Sequence, residues 1–210
     1  MTSELDLFAA SFPYLDFPRG LTDDCPYWLT FELGGETYST RRPMRRFMQA
    51  FDRADAVSRN LFVNSKNIWM ISASYGGRKH KKRFLKTYNL CGLKRSHFIS
   101  LGIRRQNENY LNDVTGDLFQ HLFAARLQDH DHLKEILWLT LGGDMGIRPI
   151  APGTVYFVDL DNKLALHVYD DRGMNLFSAQ KQGLHGIYND FNPWLLDYDL
   201  PEMKAIFEGV

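Results

Sequence analysis

Thr154-Val155-Tyr156-Phe157-Val158-Asp159-Leu160, then Leu164-Ala165-Leu166-His167-Val168-Tyr169, then Met174-Asn175-Leu176-Phe177-Ser178-Ala179 is the stretch that decides the fold. Each run is short, apolar and rich in β-formers, and each is bounded by turn chemistry. Asp161-Asn162 supplies residues that tolerate positive φ in a tight turn. Asp170-Asp171-Arg172-Gly173 supplies a second turn, with carboxylates to cap amides and a glycine for positive φ. Three consecutive antiparallel strands, a β-meander, are therefore predicted.

Working outward, Gln180 to Asn189 reads as a helix. Asp199-x-x-Glu202 resembles a capping box opening a last helix to Phe207. Toward the N-terminus the firmest helix runs from Pro43 to Phe62. Its apolar face is Met44, Phe47, Met48, Phe51, Ala54, Val57 and Leu61, and proline is tolerated only in a first turn. Tyr27–Leu33, Ile68–Tyr75 and His97–Ile103 read as strands. Asp131–Leu141 has helix formers with Leu133, Ile136, Leu137 and Leu141 on one side. By pattern alone Leu118–Leu127 is helix or strand. Leu5, Phe8, Ala9 and Phe12 predict a short N-terminal helix, followed by an irregular stretch marked by Pro18, Gly20 and Pro26. The expected fold class is α+β: a largely antiparallel sheet containing the C-terminal meander, with helices packed on it.

Residues 1–210 are expected to form a single globular domain, with 1–26 as its N-terminal helix and irregular extension. Hydrophobic residues at 44% and aromatics at 14% are ample for a packed core. The acidic start, Met1-Thr2-Ser3-Glu4-Leu5-Asp6, is unlike a signal or transit peptide, and no uncharged run is long enough to span a bilayer. A cytoplasmic location follows as an expectation. Cys25 and Cys91 lack the spacing of a zinc or redox motif, so reduced, buried thiols are expected.

Several segments together resemble a bacterial family catalogued only as a domain of unknown function. They are Phe31-Glu32-Leu33-Gly34, Arg53-Ala54, Ile136-Leu137 leading to Asp144, Tyr156-Phe157 and Tyr169-Asp170-Asp171-Arg172-Gly173-Met174, then Tyr188, Trp194-Leu195 and Asp197-Tyr198. The resemblance spans about residues 27–207. It implies a strand at Leu118–Leu127 and a helix from about Asp131, and it carries no activity.

Two readings compete at Asp170-Asp171. The carboxylates, with Glu32, Asp144 or Asp159, could hold a divalent cation for phosphodiester cleavage. Neighbouring strand residues point to opposite faces, however, and as a turn the segment explains itself. Glu32 sits between Phe31 and Leu33; if covered, it needs a buried cation, for which Arg53 and Arg172 are the candidates. Glu32, Arg53, Asp170, Asp171, Arg172, Gly173 and Trp194 are therefore read as structural motif residues. His130 and His132 lack a metal-ligand spacing, and acidic residues opening a helix account for their neighbourhood. No nucleophile elbow, P-loop or dinucleotide fingerprint is present, and no cofactor or metal is expected.

Charge is segregated within an even total of 25 basic and 25 acidic residues. Arg78 to Arg105 holds ten Lys or Arg and no acid. Arg78, Lys79, Lys81, Lys82, Arg83 and Lys86 are the candidate binding residues, with Phe84, Tyr88 and Phe98 as rings that could stack on bases. Three functions remain open, in this order. The first is a non-catalytic protein-binding module, of which a toxin-neutralising immunity protein is one form. The second is a nucleic-acid binder using the stripe at 78–105. The third is a metal-dependent hydrolase around Asp170 and Asp171.

Overall fold

The structure, a computed structural model, describes residue 10 and residues 15–16, 20–21, 25–35, 43–78, 82–105, 119–143 and 145–209. Apart from residue 10, the expected N-terminal helix lies outside the described residues, as does Asp144.

A seven-stranded sheet, antiparallel throughout, carries the fold. Its strands are β3 (Tyr27–Glu32), β4 (Ile68–Gly76), β5 (Ile99–Arg105), β6 (Phe119–Arg126), β7 (Thr154–Asp159), β8 (Leu164–Val168) and β9 (Gly173–Ser178). The spatial order is β3-β9-β8-β7-β4-β6-β5. A separate pair, β1 (Leu15–Asp16) and β2 (Gly20–Leu21), precedes it. The meander is present as three adjacent antiparallel strands. Both of its turns depart in detail from the expected chemistry. The left-handed residue of the first is Lys163, at φ 57°, and neither Asp161 nor Asn162 adopts positive φ. Gly173 is not left-handed either; the reason for a glycine there is space, as shown below.

Helices lie on one face: α1 (Pro43–Leu61), α2 (His130–Leu141), α3 (Gln182–Asp190) and α4 (Leu200–Phe207). With β3–β9 they establish the α+β class. In α1 the buried set is Phe47, Ala50, Ala54, Val57, Ser58 and Leu61, a 3–4 residue repeat. Met44 and Met48 stand outside this repeat and are exposed, which corrects the expected apolar face. Helix α2 opens with Asp129 accepting from the His132 amide. Before α4 the expected capping box is absent. Asp199 is itself helical in backbone and makes no capping bond, and Pro201 in the first turn removes an amide that a cap would satisfy.

The main core sits between sheet and helices, where Leu29, Phe31, Met70, Phe157, Leu166 and Leu176 meet Phe47, Val57, Ile136 and Leu184. The other sheet face is buried around smaller or flatter groups: Ile71, Ala73, Leu122, Ala124, Tyr156, Val158, Ala165 and Phe177. Strand alternation divides the residues between the two faces. No helix among the described residues is long and apolar enough to cross a membrane.

Candidate functional site

The motif residues converge where β3 ends, β8 turns into β9 and α1 begins. The hairpin returns on itself because Asp170, nearly fully buried, caps it. Its carboxylate accepts from the Arg172 amide at 2.7 Å and from Arg172 Nε at 2.7 Å. Asp171 turns away and pairs with Arg46 on α1, whose Nη1 also donates to the Gly35 carbonyl at 3.1 Å. The two adjacent carboxylates thus face different cations.

Gly173 is required by close approach. A Cβ there would stand 2.6 Å from the Phe31 carbonyl oxygen and 2.0 Å from the Tyr169 hydroxyl. This contact seats β9 beside β3, and Leu33 N donates to Arg172 O at 2.8 Å across the same junction.

Glu32 meets Arg53 through its backbone: Arg53 Nη1 donates to the Glu32 carbonyl at 2.8 Å. Burial lowers the Arg53 pKa, and the Glu32 charge opposes that shift. The same guanidinium lies 5.4 Å from the centre of the Trp194 ring, within cation–π range. Leu195 bridges to Phe31, and Leu196 N donates to Thr30 O at 2.9 Å, so the segment after Trp194 covers the outer edge of β3. In this cluster Arg53, Asp171, Gly173 and Trp194 each meet a residue of another element, while Asp170 caps its own turn.

Asp159, the other carboxylate considered for a metal shell, is engaged in the β7–β8 turn. It accepts from Asp161 N at 2.9 Å, Asn162 N at 3.0 Å and Asn162 Nδ2 at 2.6 Å. Among the described residues no group of three or more His, Cys, Asp or Glu is placed to hold a metal ion.

The basic stripe is only partly displayed. Lys79 and Lys81 lie outside the described residues, as do the side chains of Lys82, Arg104 and Arg105. Lys82–Cys91 forms a ten-residue 3₁₀ helix. That helix has three residues per turn, so positions three apart share a face. Leu85, Tyr88 and Cys91 are buried on one face, whereas Arg83, Lys86 and Asn89 are exposed on another. Tyr88 is fully buried, its hydroxyl 3.0 Å from Ser72 Oγ on β4, and its ring packs on Phe98, also buried. Phe84 packs against Phe123. The expectation that Tyr88 and Phe98 are available to stack on bases is corrected, since both belong to the core. Arg78, Arg83, Lys86, Lys94 and Arg95 are exposed, and Leu90 stands out at 67% exposure.

Two groupings were not read from the sequence. Asp55, mid-α1, gathers Arg59 at 3.2 Å, Lys134 at 3.3 Å and His130 at 3.4 Å, tying α1 to α2. Burial first, and then the Arg59 charge, lower the His130 pKa, with Asp55 opposing. The Asp55–Arg59 spacing of four was the available signal. On the far sheet face Thr30, Asn175, His167 and Tyr156 sit opposite one another across four strands. The His167 ring packs at a tilt against Tyr156, centroids 4.6 Å apart, and its Nε2 and the Asn175 Oδ1 are buried without hydrogen-bond partners. Burial pushes the His167 pKa down to about 4 against the pull of Asp170. Only strand pairing brings these residues together, so no local pattern announced them.

The chain is 18% identical over 164 residues to "Uncharacterized protein YnaE" of Bacillus subtilis (strain 168), covering 74% of this chain and 77% of that one. No solved structure matches. The family described as "Domain of unknown function (DUF3885)" matches residues 5–199, nearly the whole chain including every motif residue named above, and this protein belongs to that family.

Proposed function

We propose that this chain is a single-domain, cytoplasmic, non-catalytic protein-binding module whose Arg83–Arg95 face docks an acidic protein. A toxin-neutralising immunity protein is the concrete form this reading favours. One observation carries it: the three-residue period of Lys82–Cys91 turns Tyr88 inward and leaves Arg83 and Lys86 outside. Single-stranded nucleic acid is held by rings beside cations, and here the rings of Tyr88 and Phe98 are spent on the core. Carboxylates of a protein partner need only the charges, with an apolar neighbour such as Leu90 to exclude water. The engagement of Asp159, Asp170 and Asp171 in turns and ion pairs supports a non-catalytic role.

A photo-crosslinking side chain at position 89, used in the native cell, tests the proposal. The expected result is a discrete adduct with an acidic protein, lost when Arg83, Lys86 and Arg95 are changed together to Glu. Submicromolar binding of RNA or DNA at physiological salt, lost in the same variant, would overturn it in favour of a nucleic-acid binder.

A further inference from the structure

At the end of the strands away from the Arg46–Asp171 pair, a cleft of about 550 Å³ opens. Asn67, Trp69, Arg126, Leu160, Asp161 and Lys163 line it. The fold assembles it from three places. Trp69 on β4 and Arg126 on β6 are directly opposed in the sheet register, and the β7–β8 turn brings Leu160, Asp161 and Lys163. Its volume falls in the range of about 300–1,000 Å³ typical of small-molecule clefts.

Three features give this cleft a chemical preference. Its formal charge is positive, since Arg126 and Lys163 face the single carboxylate of Asp161. That carboxylate is oriented, because Asn67 Nδ2 donates to it at 2.9 Å. The turn is held in shape beforehand by the three hydrogen bonds that Asp159 accepts. Lys163 adds an independent observation. It is the one non-glycine residue with positive φ among those described, a conformation that long L side chains rarely adopt. Glycine would form this turn without strain, so a lysine here places an ammonium beside the cleft at a conformational cost.

We propose that the cleft binds a small phosphorylated ligand carrying a flat ring, of the nucleoside monophosphate class. The ring packs against Trp69, the phosphate bridges Arg126 and Lys163, and Asp161 accepts from sugar hydroxyls. This site is separate from the protein-docking face and does not depend on it.

Calorimetric titration of the full chain tests the proposal, with adenosine monophosphate, uridine monophosphate, adenosine, ribose 5-phosphate and inorganic phosphate as probes. Both monophosphates should bind saturably. Adenosine, ribose 5-phosphate and inorganic phosphate should each bind roughly tenfold more weakly or worse. Lys163→Gly and Arg126→Gln should each weaken monophosphate binding roughly tenfold through one lost charge-assisted contact. Because Lys163→Gly relieves a left-handed backbone, its melting temperature should match or exceed the parent's, which separates lost binding from lost folding. No saturable heat at millimolar monophosphate would overturn the proposal. So would equal binding by the parent chain and Lys163→Gly, or inorganic phosphate binding as tightly as the monophosphates.

Discussion

Asp170 and Asp171 are neighbours in the chain and answer to different cations, which sets different consequences for removing each. Asp171 and Arg46 are both largely buried, so Arg46→Ala leaves a carboxylate with no counter-charge. A loss of about 3 kcal/mol is expected, read from urea denaturation. Asp170→Ala removes a turn cap and a bond to an exposed arginine, so a smaller loss of about 1 kcal/mol is expected. An unchanged melting temperature for Asp170→Ala, with a divalent-metal affinity that the substitution abolishes, would point instead to a hydrolase. His167 makes a prediction of opposite chemical sense. Its folded pKa of about 4 lies below the ordinary 6.5, so on acidification the unfolded chain takes up the proton first. The stability contributed by neutral His167 is whole above pH 6.5 and drains away as pH falls toward 4. The full change is about 3 kcal/mol. Denaturation midpoints should therefore fall less steeply from pH 7 to 4.5 in His167→Gln than in the parent, because glutamine carries no proton to take up. Parallel profiles would refute the assignment. At this scale little was legible in advance. The role of Asp170 as a turn cap follows from local chemistry, but the partner of Asp171 is 125 positions away.

Elements were legible where their signals are local. The meander, α1 and α2 were readable from alternation, periodicity and flanking turn residues, because both partners in each signal lie within a few residues. The 3₁₀ helix at Lys82–Cys91 was not, because positions three apart mimic an irregular α-helical pattern, and the inward turn of Tyr88 was hidden with it. The order β7-β4-β6 was equally invisible, since nothing in Ile68–Gly76 names the strands on either side of it. Two glycines test the packing of elements in opposite directions. In α3 a Cβ at Gly186 would meet nothing within 4 Å, and its φ is ordinary. Gly186→Ala should stabilise the fold by roughly 0.5–1 kcal/mol through helix propensity and a less flexible unfolded chain. Gly173→Ala should destabilise it by about 2 kcal/mol or more, because the new methyl meets the Phe31 carbonyl, which cannot move without parting β3 from β9. Paired thermal melts check both signs at once.

Across the whole molecule the sheet separates two cores, and the cysteines report on them independently. Cys25 belongs to the far-face core and Cys91 to the helix-side core. Burial raises both thiol pKa values, that of Cys91 to about 11. Neither thiol should react with a disulfide reagent in the folded protein at neutral pH on the timescale of minutes, and both should react in urea. Rapid labelling of Cys25 alone in the native state would show that the far-face core opens on its own. The α+β class was legible because it needs only a count of elements and their types. The position of β3 was not, since it pairs with a strand some 140 residues later in the chain. That pairing bears on synthesis. At ribosomal rates of roughly 5–20 residues per second, β3 emerges about seven to thirty seconds before β9 exists to receive it. Throughout that interval Leu29 and Phe31 lack the neighbour that will hold them, while α1, β4 and the later strands are still being added. Until β9 is made, Leu29 and Phe31 remain an unpaired apolar strand on the nascent chain, and that interval is where shielding by a chaperone is expected to matter most.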